Sequence, residues 1–127
     1  MNLEKVIFGF FVVLALTLNF GFFLGEFDNP SHHNVLELFA VIFVNLIATA
    51  LKFGDRSQIG AVLLATSLVA DLELIAAATY WTVAVHITQT GLTPDVMSSI
   101  VSMAGGALLA NVISTIILVS ETLINRL

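Results

Sequence analysis

Residues 59–81 read IGAVLLATSLVADLELIAAATYW, an apolar run with Asp71 and Glu73 near its middle. At about 1.5 Å of helical rise per residue the run crosses roughly 30 Å of hydrocarbon. Three further stretches do the same, so the sequence predicts helices over about 6–24, 35–53, 59–86 and 96–122. No Gly or Pro interrupts the third between Ala61 and Thr90, and apolar character continues beyond Trp81 to His86. The chain has 127 residues, of which 58% are hydrophobic and 10% charged, with a mean hydropathy of +1.04. A soluble core of this size does not absorb so much apolar surface. The expected fold class is all-α: one four-helix transmembrane domain over 1–127, with no room for a soluble catalytic or nucleic-acid-binding domain.

The bases are Lys5, Lys52, Arg56 and Arg126, and four crossings put all of them on one side. The positive-inside tendency makes that side cytoplasmic, N-in and C-in. Tyr80 and Trp81 then fall at the outer interface. Lys5 ahead of an apolar run resembles the start of a secretory signal, but NFGFFLGEF (19–27) offers no small-x-small cleavage site, and the first span is read as a retained helix. Its Phe8, Phe10, Phe11, Phe20, Phe22 and Phe23 suit a peripheral, lipid-facing position.

Asp71 and Glu73 lie at the costliest depth. A central Asp disfavours insertion by about 2.5–3.5 kcal/mol, Glu is taken as similar, and each Val, Leu or Ile returns only about 0.3–0.6 kcal/mol. The acids are expected to face other helices or a wet cavity. Two positions apart on a helix, they point about 200° from each other and serve different faces. Glu73 continues a stripe of Thr66, Ala70, Ala77 and Tyr80, whereas Asp71 shares its face with Ser67 and Ala78. Asn45 and Asn111 stand at similar depths in the second and fourth spans, and a single polar layer is expected from them. All four bases stand at or beyond the ends of the spans, so the layer is expected to lack a fixed cation and to take up a proton or a mobile one. The simpler alternative is a pair of protonated carboxyls that hold the helices in register.

Ser98, Ser102, Gly106, Ala110 and Ser114 recur every four residues and form a close-packing face, within the chain or between copies. In GEFDNPSHHNVLELF (25–39), Glu26, Asp28, His32 and His33 combine oxygen and imidazole donors in a candidate divalent-metal loop, set against a plain Asp-Asn-Pro turn. Glu37, in the first turn of the second helix, is a candidate cation attractor at an outer mouth; an acid there also suits the helix dipole. There is no Cys, Gly-x-Ser-x-Gly, phosphate loop or His-Glu-x-x-His, so no enzyme is expected.

KFGDRSQIGAVLLATSLVADLEL (52–74), with EKVIFGFFVVLALTLNFGFF (4–23) before it, resembles a family of short four-span inner-membrane proteins of proteobacteria that carries no assigned function. The resemblance covers almost the whole chain. It implies a bacterial inner-membrane location and a stand-alone unit, and it transfers no ligand residues. From the residues themselves, the leading expectation is a symmetric homo-oligomeric cation channel whose pathway uses Asp71, Glu73, Thr66, Ser67, Asn45 and Asn111, with a bound monovalent or divalent cation and no other cofactor. The alternatives are a non-conducting accessory subunit of a partner membrane protein and a proton-coupled carrier.

Overall fold

The computed structural model describes residues 3–53 and 57–126; Gly54, Asp55 and Arg56 of the second connection lie outside the described residues, as does the side chain of Arg126. Four long helices account for most of the chain: α1 (Leu3–Phe23), α2 (Val35–Lys52), α3 (Gln58–Thr82) and α4 (Pro94–Arg126). All four contain a segment long and apolar enough to cross a membrane.

Local chemistry sets the helix starts. Asn34 Oδ1 accepts from Leu36 N at 2.8 Å to cap α2, and Ser57 Oγ accepts from Gly60 N at 3.0 Å to cap α3. α4 opens on Pro94, where a missing N–H costs nothing, and Thr93 Oγ1 accepts from Val96 N. Past Thr82, α3 widens into one π-helical stretch, Val83–Ile87, which continues the rod without a break. The continuous segment Gln58–Ile87 is 30 residues long and α4 is 33, against 21 for α1 and 18 for α2. The α3–α4 hairpin therefore extends well past its neighbours.

The helices form a ring in sequence order, with α1 against α2, α2 against α3, α3 against α4 and α4 against α1. Outward surfaces carry large apolar side chains such as Phe10, Phe43, Leu72, Leu109 and Ile116, as hydrocarbon solvent requires. The core is built from smaller groups, with Ala70, Ala77, Ala104 and Ala107 allowing close approach around Phe22, Leu38, Leu74, Met97 and Ile100.

α1 keeps the largely outward-facing surface expected of a peripheral helix but also carries one buried stripe. Val12, Ala15, Asn19 and Phe22, at i, i+3, i+7 and i+10, are all buried against α2 and α4. Phe10 and Phe20 do face outward, so the phenylalanines divide between the two sides instead of surrounding the helix.

Candidate functional site: a buried charge pair and a separate acid

Asp71 faces α2. Its Oδ1 accepts from Asn45 Nδ2 at 2.6 Å and its Oδ2 from Thr49 Oγ1 at 2.6 Å, and the residue is 7% exposed. Thr49 Oγ1 also lies 2.9 Å from Asn45 O, so its single hydrogen is shared between two acceptors.

The layer contains a cation after all. Lys52 has its backbone at the end of α2, but its side chain turns back into the bundle and is 3% exposed. Its ammonium donates to Leu63 O at 3.1 Å, to Ser67 Oγ, and to Ser114 Oγ at 2.8 Å. Three acceptors match its three hydrogens. The ring of Phe8 lies 5.5 Å from the ammonium nitrogen, within cation–π range. Lys52 and Asp71 interact electrostatically without a direct ion pair. A charge that snorkels toward water in most membrane helices is here drawn inward, because two hydroxyls and a carbonyl replace its hydration. This corrects the expectation of a layer without a fixed cation.

Asn111 does not join Asp71. With the Asn19 amide oriented to satisfy both its atoms, Asn19 donates to Ala104 O at 3.1 Å and accepts from Asn111 Nδ2 at 3.1 Å and Leu108 N at 3.0 Å. The expected single layer is therefore two networks: one across α2, α3 and α4, the other between α1 and α4. Thr66 touches only the first, donating at 2.8 Å to Leu63 O on its own helix, the same carbonyl that accepts from Lys52.

Glu73 points to α4 and lies against Gly106, where even a Cβ would meet its carboxylate. It is half-buried at the edge of an outward surface that includes Leu72 and Val69, and no hydrogen bond reaches its carboxylate from the described residues. Toward the α3–α4 connection, the same seam opens into a groove of about 900 Å³ lined by Ala76, Tyr80, Val83, Val96 and Met103 among others. The four-residue stripe on α4 turns through this geography. Ser98 is half-buried and Ser102 exposed, Gly106 meets Glu73, and Ala110 and Ser114 are in the core.

The other candidates lie apart. Glu37 rests on Gly21 at the α1–α2 seam, across the ring from Glu73, so one chain does not line a single path with both. The candidate metal loop is not assembled: among the described residues no group of three or more His, Asp or Glu side chains converges. His33 is spent on Phe22 O and Glu26 O, and His32 Nδ1 accepts from Glu26 N at 2.9 Å.

Sequence reasoning missed Lys52, Thr49 and Asn19. The first two had a readable signal, since Asn45, Thr49 and Lys52 share one face of α2 at i, i+4 and i+7.

No curated protein and no solved structure matches the chain. A family profile described only as a family of unknown function, DUF6394, matches residues 32–122, a stretch that holds Lys52, Asp71, Glu73 and Ser114. The chain belongs to this family.

Proposed function

We propose that the protein is a non-enzymatic, homo-oligomeric cation-conducting protein of a bacterial inner membrane, N-in and C-in, in which Glu73 supplies the ion or proton site. The observation that carries this reading is the contrast between the two acids. Asp71 accepts from Asn45 and Thr49 and has the Lys52 charge nearby, whereas Glu73 has no hydrogen-bond partner among the described residues and sits at the edge of the bundle near the middle of α3. An isolated carboxylate at that depth is too costly to keep for packing alone. Copies meeting along the α3–α4 face would gather Glu73 into a ring, the arrangement that cation pores use. Protons and cations then compete for the ring, and flux falls as the medium is acidified.

The test is cation flux into liposomes that hold the purified protein, with K⁺, Na⁺ and Ca²⁺ compared. Glu73→Gln is expected to abolish flux. Equal flux in the variant and the wild type overturns the reading, and no flux from folded wild-type protein shifts it to an accessory subunit. The internal Lys52–Asp71 pair favours one second reading, a proton-coupled carrier. That reading requires saturable, substrate-dependent proton uptake that Asp71→Asn removes.

A further inference from the structure

The α1–α2 connection holds a hydrogen-bond arrangement that one protonation state alone completes. His33 is 3% exposed. Its Nδ1 lies 2.6 Å from Phe22 O and its Nε2 2.7 Å from Glu26 O. A carbonyl oxygen only accepts, so each contact needs a ring N–H. Neutral imidazole has one N–H, and the imidazolium has two.

The neighbouring His32 meets nitrogen donors instead of carbonyls, its Nε2 lying 3.3 Å from Asn29 Nδ2. Its Nδ1 accepts the Glu26 backbone N–H at 2.9 Å and so carries no hydrogen. The two rings thus hold Glu26 from both sides, His32 through its N–H and His33 through its carbonyl. Phe22 O belongs to the last turn of α1, one of the carbonyls that a helix end leaves without a partner in the helix. His33 therefore fastens the end of α1 to the connection, with its own backbone fixed by His33 N donating to Pro30 O at 3.2 Å.

The surroundings add no competing charge. The ring packs on Phe22 and His32 at centroid distances of 5.5 and 6.5 Å. The other titratable groups at this end are Glu26, Asp28 and His32 in the connection, Glu37 on α2, Tyr80 on α3, His86 in the π-helical stretch and Asp95 on α4, and none forms an ion pair with His33.

We propose that His33 is a proton-binding clasp: a proton taken up from the medium at this end completes the bond to one of the two carbonyls and tightens the α1–α2 connection, and its loss frees that carbonyl and loosens the connection. The proposal stands independently of ion conduction. It is a sensor of pH on the side where the α1–α2 connection emerges.

Trp81, the single tryptophan, reports on it, because the Phe22 ring lies 6.4 Å from Trp81 and 5.5 Å from His33. The experiment follows Trp81 emission of the full chain in liposomes between about pH 5 and 8, the range in which imidazole titrates. A one-proton step is expected in the wild type, kept in His32→Gln and His86→Gln and lost in His33→Gln. A flat wild-type response, or an unchanged step in His33→Gln, overturns the proposal. Should His33→Gln fail to fold, ¹⁵N signals of the wild-type rings decide. Two protonated nitrogens on His33 at the acid end, giving way to one as the emission changes, sustain it; a single-N–H ring throughout the range overturns it.

Discussion

A lysine ammonium in a membrane bundle is tolerated only when every hydrogen has an acceptor, and Lys52 meets that condition with Leu63 O, Ser67 and Ser114. Its charge in turn offsets that of Asp71, which α2 holds with one amide and one hydroxyl. The two groups are not in contact, but removing either leaves the other's buried charge without its counterpart, which is costly, whereas removing both is far cheaper. Lys52→Met and Asp71→Asn are each expected to destabilise the protein strongly in denaturant unfolding from detergent. The double variant should recover a large part of the sum, and purely additive losses would show that the two groups are not coupled. Asp71, Asn45 and Ser67 were legible in the sequence because polar residues stand out in an apolar run. For Lys52 the sequence shows only that it shares a face of α2 with Asn45 and Thr49; its Cα lies at the end of the span, and position alone does not say which way a flexible four-carbon stem turns.

Between elements, glycines decide how close the helices come. A Cβ on Gly105 would meet Phe23 Cε1 at 2.7 Å, whereas one on Gly9 meets nothing within 4 Å. Gly105→Ala is expected to lower stability by about 1–3 kcal/mol, since the Phe23 ring has to move. Gly9→Ala should be neutral or stabilising by up to about 1 kcal/mol, because alanine is the better helix former. Thermal unfolding of the two variants side by side tests the α1–α4 contact, and equal behaviour would contradict it. Asn19→Leu strips Asn111 of its amide partner and should cost up to about 1.7 kcal/mol, the largest value for interhelical hydrogen bonds in membranes, whose average is about 0.6 kcal/mol. Helix positions were readable from apolar run length, and the α4 stripe from its four-residue period. The buried stripe of α1 was not: its phenylalanines appear all round the helix by count, and only packing reveals that Phe22 is core while Phe20 is not.

Across the whole molecule, the ring of four helices separates two acids that are two residues apart in the chain. Asp71 turns to α2 and the interior, and Glu73 turns to α4 and the outer edge. The sequence foretold this separation, because 100° per residue requires it. It did not foretell which acid faces inward, since that depends on α2 presenting Asn45 and Thr49 to one side of α3. The central claim is that the inward acid is a compensated structural charge and the outward one is available to ions and protons. Its most direct test is covalent labelling of the full chain in liposomes with a membrane-soluble carbodiimide, which reacts with accessible protonated carboxyls in an apolar medium, followed by peptide mass mapping. Modification of Glu73 with Asp71 untouched is the predicted result; modification of Asp71 with Glu73 untouched would contradict the account.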